Sequence, residues 1–80
     1  MQIFYNLFMD EMKLRQNIAY NMRILRAKKR ISQETLAEMC DTTQQYIAKI
    51  ETEKVNLSTY ILVKIANAFQ VKANDLIYVE

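Results

Sequence analysis

The 80 residues are 51% apolar and 25% charged with a net charge of +2 at pH 7, which fits one small globular domain and excludes a disordered chain. A single cysteine and the lack of histidine exclude an internal disulfide, a plausible zinc site and the histidine-dependent arrangements of hydrolases, so we expect no metal, no cofactor and no enzymatic activity. Glycine and proline are also absent, which favours an all-α fold and excludes a glycine-rich phosphate loop.

The chain opens with an apolar, aromatic segment that we assign to an N-terminal extension, residues 1–15. Three of the eight aromatic residues lie within its first eight positions. On the helix that follows, Tyr20 and Ile24 fall off the main apolar stripe and form a second apolar patch. We predict that the extension packs on this patch, in its own chain or across a dimer; the alternative is a frayed terminus.

The first helix of the remaining chain is predicted from about Gln16 to Lys29. Ile18, Met22 and Leu25 recur on it at helical spacing. Seven of the eleven cations lie between residues 12 and 33 without an acidic residue, whereas the rest of the chain carries four cations and nine acids. This asymmetry indicates a basic face that could meet a polyanion, although a solvated helix face is the plainer interpretation of a charge run.

Four further helices are predicted to complete a compact five-helix bundle over residues 16–80. Hydroxyl side chains stand where they would cap the next three helices, at Ser32, Thr43 and Ser58. A last short element is expected from about Asn74 to Tyr78. The apolar residues expected to face the core of these helices are Leu36, Ala37, Met39, Cys40, Ile47, Ile50, Leu62, Val63, Ile65, Ala66, Phe69 and Leu76.

A short helix, a tight turn and a second helix form the pattern of a helix-turn-helix, whose second helix enters the DNA major groove. Asp41 lies in this turn and tolerates a left-handed backbone. The second helix spans about residues 43–51, with Gln44 and Gln45 in its first turn and Lys49 one turn further on. Glutamine amides match the donor and acceptor of adenine, and a lysine can donate to guanine or to a phosphate. Glutamines are also common on solvated helices, so this interpretation depends on the helix-turn-helix setting.

The stretch "SQETLAEMCDTTQQYIAKIETEKVNLSTYILVKIANAFQVKANDLI", residues 32–77, is similar without a gap to the helix-turn-helix domain of the phage repressor and Cro group, the XRE family. The similarity extends back to about Ile18 and covers roughly three quarters of the chain. It implies a five-helix bundle of the lambda-repressor-like DNA-binding type, with an extra N-terminal segment. It also implies a homodimer that binds double-stranded DNA at a palindromic operator and regulates transcription. We expect no small-molecule effector domain, because few residues remain outside the helix-turn-helix domain.

The resemblance also implies roles for individual residues. Gln33 matches a position that holds a phosphate and braces the first recognition residue. Arg26 and Glu51 match an ion pair that joins the first helix to the end of the recognition helix. Arg23 is assigned from its place on the basic helix and not from the resemblance, and it is expected to contact a phosphate of the DNA backbone or to support that contact. The matched base-reading positions are Gln44, Gln45 and Lys49, and those close to the DNA backbone or to thymine methyls are Thr43, Tyr46 and Lys54.

The chain departs from the family where the family usually has glycine or proline. Asp41, Glu53 and Gln70 replace glycine, and Leu57 replaces proline. Glu53 places a negative charge where the family's loop approaches phosphates, so it could weaken DNA binding or indicate a different docking of the loop. This departure lends weight to an alternative, a protein-interaction or antitoxin module with the same fold in which DNA binding is secondary.

The sequence also addresses membranes and location. Charges interrupt every apolar run well short of the roughly 20 residues that span a bilayer. The opening segment lacks the basic lead-in and the small-residue cleavage site of a signal peptide. We therefore expect a cytoplasmic protein without a membrane partner.

Overall fold

Five α-helices form the structure, a computed structural model that describes residues 10–79. They are α1 (Glu11–Lys29), α2 (Gln33–Met39), α3 (Gln44–Glu51), α4 (Thr59–Phe69) and α5 (Asn74–Ile77). No β-strand occurs between residues 10 and 79, so the all-α prediction is confirmed for this part of the chain. None of the five helices is long and apolar enough to cross a lipid bilayer.

The first helix begins earlier than the sequence pattern predicted. α1 starts at Glu11, and Asp10 caps it by accepting a hydrogen bond of 2.7 Å from the backbone N–H of Lys13. Arg15 forms an ion pair of 2.6 Å with Glu11 one turn away, which further supports the helix start. The predicted boundary after residue 15 therefore falls inside α1. Residues 1–9, and with them the predicted packing of the extension on the second apolar patch, lie outside the described part of the chain.

The three predicted hydroxyl caps are present. The side-chain oxygens of Ser32, Thr43 and Ser58 each accept a hydrogen bond from the backbone N–H three residues further on, at 3.0, 3.1 and 3.2 Å. Each bond satisfies one of the N–H groups that the first turn of a helix leaves without a partner. The start of α3, where Gln44 follows the capping threonine, is thereby fixed.

Four helices end with a residue in the left-handed conformation, and none of the four is glycine. Their φ angles are 56° at Arg30, 55° at Asp41, 64° at Glu53 and 59° at Gln70. After each of them, the next backbone N–H donates to the carbonyl five residues earlier, at distances of 3.1, 2.9, 2.9 and 3.0 Å. This is the Schellman arrangement, which usually takes glycine at the left-handed position. The three residues that replace family glycines, Asp41, Glu53 and Gln70, thus adopt the left-handed conformation that glycine usually adopts in this arrangement.

All five helices contribute to one apolar core. Its buried members are Ile18, Met22, Leu36, Ala37, Cys40, Ile47, Ile50, Ile65, Ala66, Phe69 and Leu76. Two residues that were predicted to face the core are exposed instead, Met39 with 52% of its surface accessible and Val63 with 44%. Met39 is the last residue of the two-turn helix α2 and projects beyond the packed interface. Val63 lies on the outer side of α4, whose inner side is supplied by Ile65 and Phe69.

The short helix α5 is held by side chains of α1. Asn17 donates a hydrogen bond of 2.9 Å to the Ile77 carbonyl, and Asn21 donates to the carbonyls of Leu76 and Tyr78 at 2.8 and 3.1 Å. α5 has no side-chain cap of its own and ends at Ile77, one residue before the predicted end. Its position therefore depends on α1 and on the burial of Leu76.

Candidate nucleic-acid interface

The helix α3 has one buried side and one polar side. Ile47 and Ile50 are almost fully inaccessible, at 0% and 2%, and anchor the helix in the core. At 100° per residue, the positions on the opposite side form a continuous arc of about 140° that ends at Lys49. Ala48 contributes only a methyl group to this arc, so it leaves room for another surface to approach the backbone. The exposed polar residues on the arc are Gln44, Gln45 and Lys49.

Tyr46, which the resemblance places close to the DNA backbone or to thymine methyls, does not belong to this exposed arc. Its side chain is half-buried and packs against the apolar core. Its position on the helix lies next to Ile50, at the edge of the buried side, which explains why an aromatic ring is tolerated there. The outer side of α3 therefore carries amides and an ammonium group without an aromatic side chain among them.

An ion pair connects α1 to the end of α3. The Arg26 Nε and Nη2 atoms donate to the two carboxylate oxygens of Glu51 at 2.6 and 2.8 Å. The Glu51 side chain is only 3% exposed and that of Arg26 is 20% exposed. The hydrogen bond to Glu51 raises the pKa of the Arg26 guanidinium above its ordinary value, burial opposes the rise, and the carboxylate charge reinforces it. A two-point, largely buried pair of this kind fixes the angle between two helices more firmly than a surface pair would.

The same carboxylate is the first point of a hydrogen-bond chain that reaches the exposed side of α3. Gln33, the first residue of α2, donates from Nε2 to Glu51 Oε1 at 3.0 Å. The Oε1 atom of Gln33 in turn accepts a hydrogen bond of 2.7 Å from Nε2 of Gln44. The structure thus joins two sets that the sequence analysis assigned separately, the Arg26–Glu51 pair and the two glutamines, and it places Gln33 directly beside the first glutamine of α3.

Arg23 has a partner inside the molecule. Its Nη1 atom donates a hydrogen bond of 2.6 Å to the backbone carbonyl of Glu51, at the C-terminal end of α3. This carbonyl is one of those that a helix leaves without an internal partner, and a cation is favourable there. The sequence predicted a phosphate contact for Arg23, whereas the structure shows that it also supports α3. Removing it would therefore disturb more than a surface charge.

The loop after α3 carries Glu53, Lys54 and Asn56, all of them exposed. Arg15 on α1 donates from Nε to Asn56 Oδ1 at 2.7 Å, and Asn56 in turn donates to Glu11. Glu53 lines two surface clefts together with residues of α1, and Arg15 and Arg23 each line one of these clefts. The acidic residue that departs from the family pattern thus shares a cleft with each of these arginines, and the cleft with Arg15 also contains Asp10 and Glu11. Lys54 remains exposed on the loop.

Sequence reasoning missed the contacts in which a polar side chain of α1 holds a segment that is distant in the sequence. Asn17 and Asn21 hold α5, and Arg15 holds the loop after α3 through Asn56. The sequence gives no signal for Asn17, because at 100° per residue it lies off the apolar stripe of Ile18 and Met22; only the structure shows that it is 6% exposed. The spacing of Glu11 and Arg15 is that of a helical ion pair and would have indicated the earlier start of α1.

The described residues hold no group of three or more histidine, cysteine, aspartate or glutamate side chains suited to a metal ion. Cys40 is fully buried in the core. Burial raises the pKa of its thiol above the ordinary value, with the nearby charge of Lys64 acting in the opposite direction. The thiol is therefore kept neutral, as expected of a cysteine that serves as a small apolar residue.

Comparison with known proteins identifies the helical arrangement. Residues 22–76 match the helix-turn-helix family HTH_3. A hypothetical transcription factor of Neisseria meningitidis serogroup B (strain ATCC BAA-335 / MC58) is 38% identical over 68 residues, which make up 85% of this chain and 64% of that protein. The chain thus spans slightly less than two thirds of this relative's length.

Solved structures show the same fold. The hypothetical transcription factor NHTF from Neisseria matches with a TM-score of 0.80 at 38% identity, over 86% of this chain and 79% of that one. The restriction-modification controller protein C.AhdI from Aeromonas hydrophila matches with a TM-score of 0.74 at 29% identity, over 78% of this chain and 94% of that one. The clp gene regulator ClgR from C. glutamicum shares the fold, with a TM-score of 0.72 at 24% identity over 79% of this chain and 82% of that one. The resemblance seen in the sequence is confirmed, and the chain belongs to the XRE-type helix-turn-helix family.

Proposed function

We propose that this protein is a sequence-specific, DNA-binding transcriptional regulator that acts as a homodimer on a palindromic operator. The observation that supports this most directly is the outer side of α3, where Gln44, Gln45 and Lys49 are exposed while the opposite side is anchored in the core. In this proposal the first turn of α3 enters the major groove and the three side chains contact base edges. Such a regulator would act in the cytoplasm and would need no enzymatic activity.

Other residues would bind or support the DNA backbone. Thr43 precedes the first turn of α3 and Lys54 follows the helix, so both flank the base-reading arc. Gln33 has the other donor of its amide available for a phosphate, because it uses one donor for Glu51. Phosphate contacts from the basic residues would supply much of the affinity and make it strongly dependent on salt.

The experiment is selection of bound sequences from a random duplex pool, followed by titrations at several salt concentrations. We expect an AT-containing palindrome and a steep loss of affinity with salt. Gln44→Ala should lower discrimination at one base position by about 1 to 3 kcal/mol while leaving non-specific binding nearly unchanged. Asn67→Ala, which removes an exposed amide from α4, is the matched control and should change neither. Absence of a selected sequence, or affinity that ignores salt, would refute the proposal.

The homodimer is a separate part of this proposal. α3 is only 8 residues long, so one copy reads few base pairs, and a second copy on a two-fold site would double the contacts. Sedimentation of the protein with and without its selected duplex would measure the stoichiometry. Two chains bound per palindrome are expected, and one chain per duplex would contradict this part alone.

A second candidate function is a protein-interaction or antitoxin module, and one feature favours it. A surface groove between α1 and the residues at and after α5 is lined by exposed apolar side chains. Polar and charged residues of α1 and α5 also line the groove, and exposed apolar side chains bordered by polar ones are a common mark of a protein–protein contact. In the salt titrations, this candidate would give weak DNA binding without base selection. The exposed apolar side chains are Tyr20, Ile24, Tyr78 and Val79.

A further inference from the structure

The hydrogen bonds behind α3 have a fixed direction. The Arg26 guanidinium has only donors and the Glu51 carboxylate has only acceptors, so Glu51 must accept from both of its neighbours. Gln33 can therefore meet Glu51 only with its amide N–H, and the distance of 3.0 Å joins Nε2 to Oε1. The oxygen of Gln33 is then turned toward Gln44, which must donate to it, at 2.7 Å.

From this chain of contacts we propose that Glu51 is a specificity-determining residue that sets the amide orientation of Gln44. A glutamine amide can rotate by half a turn and exchange its donor and acceptor. The hydrogen bonds that begin at Glu51 prevent this exchange at Gln33 and hence at Gln44. Gln44 then presents its carbonyl oxygen and its second N–H to the groove in one order. Glu51 acts by positioning, since it is only 4% exposed and cannot touch a base.

The burial of these hydrogen-bonded side chains explains why the direction of their hydrogen bonds is stable. The Glu51 carboxylate lies in a nearly inaccessible site, where an acceptor without a donor is costly. A reversed Gln33 amide would place its oxygen against a carboxylate oxygen. Gln33 is half-buried and Gln44 is exposed, so the constraint passes from the interior to the surface in two steps. Neutral side chains in place of Glu51 could donate as well as accept, and the direction would be lost.

The consequence for DNA recognition rests on the proposed function, because it needs Gln44 to read a base. Adenine presents a donor and an acceptor in one order along the major groove. A Gln44 amide of fixed orientation matches one order, whereas an amide that rotates freely matches both and discriminates less. Loss of one directed hydrogen bond corresponds to roughly a two- to tenfold loss of discrimination at that base pair.

The test uses Glu51→Gln, which keeps the size of the side chain but removes its charge. Glu38→Gln is the matched control, since it makes the same chemical change at an exposed site on α2. Because an unpaired Arg26 could prevent folding of the first variant, the double variant Arg26→Met with Glu51→Gln is measured beside it. Circular dichroism establishes that each variant is helical before the other measurements are made.

Two measurements separate this inference from the proposed function. Isotope-edited NMR of the free protein follows hydrogen exchange of the Gln44 side-chain amide, and it requires no DNA. Selection from random duplexes then measures discrimination at each base pair. In the folded Glu51 variant we expect faster exchange of the Gln44 amide hydrogens. We also expect a two- to tenfold loss of discrimination, confined to one base position per half-site. Glu38→Gln should change neither quantity.

Unchanged exchange at Gln44 in the folded Glu51 variants would overturn the inference. So would a loss of affinity that is equal for all sequences, since that is the result expected of a purely structural residue. If the wild-type protein selects no sequence, the proposed function fails, and amide exchange alone then decides whether Glu51 orients Gln44.

Discussion

The left-handed residues at the helix ends give the most direct test of the backbone described above. Gln70 ends α4 with a φ of 59°, and its side chain is exposed. For a residue with a β-carbon, this conformation costs roughly 1 to 2 kcal/mol, whereas glycine adopts it freely. Replacing Gln70 with glycine should recover that cost.

The size of the effect follows from two opposing terms. Glycine also increases the freedom of the unfolded chain, which lowers stability by about 0.4 to 1 kcal/mol. The two ranges leave about 0 to 1.6 kcal/mol, so the central expectation for Gln70→Gly is a gain of about 0.5 to 1 kcal/mol in the free energy of unfolding. For a domain of this length, that gain raises the melting temperature by roughly 2 to 8 °C.

Urea and thermal unfolding followed by far-ultraviolet circular dichroism measure the change. Gln70→Ala is the first control, because alanine keeps the β-carbon and should give no gain. Ala27→Gly is the second, since Ala27 is exposed inside α1 and glycine there should cost about 1 kcal/mol. If glycine and alanine at position 70 are equally stable, or if Ala27→Gly also stabilises, the left-handed backbone does not carry the assigned cost.

Three further outcomes are expected. Cys40 should react with iodoacetamide far more slowly in the folded protein than in urea. Burial raises the pKa of its thiol above the unfolded value, against the effect of Lys64, so the contribution of the thiol to stability should be fully present below about pH 8.5 and decline as the pH rises further. A Cys40→Ala variant whose stability falls equally over that pH range would contradict this. Asn17→Ala should cost about 1 to 3 kcal/mol in urea unfolding, because it leaves the Ile77 carbonyl without its donor, and a loss near zero would show that the bond is replaceable. Met39→Gln should change the free energy of unfolding by less than about 0.5 kcal/mol, as at an ordinary surface site. A loss of about 2 kcal/mol or more would show that Met39 is buried in the core.

The fold was predictable where its determinants are local. The three hydroxyl caps each act on a backbone N–H three residues away, so their positions in the sequence were sufficient. The burial of Ile47 and Ile50, with glutamines outside, follows from the helical repeat alone. Met39 was misassigned because α2 has only two turns, and in so short a helix the neighbouring helices decide which terminal residue is covered.

The candidate site was predictable in its residues but only in part in the contacts between them. The ion pair of Arg26 with Glu51 and the role of Gln33 were assigned from a resemblance, whereas Gln44 followed from the helix-turn-helix pattern. The hydrogen bond from Gln33 to Glu51 spans 18 residues, and the one from Arg23 spans 28, so no local pattern indicates either. Arg23 shows the limit most clearly, because a cation on a basic helix has the same sequence signature whether it faces a phosphate or a carbonyl.

The attachment of α5 has a consequence for the order in which the protein folds. α2 and α3 are neighbours in the chain, whereas the bond from Asn17 joins residues that are 60 positions apart. Closing so long a loop costs more entropy than joining adjacent helices, and a four-residue helix without its own cap offers little local structure in return. We therefore expect α5 to dock last and to detach first, so that a protease would reach the C-terminal residues while the two central helices are still folded.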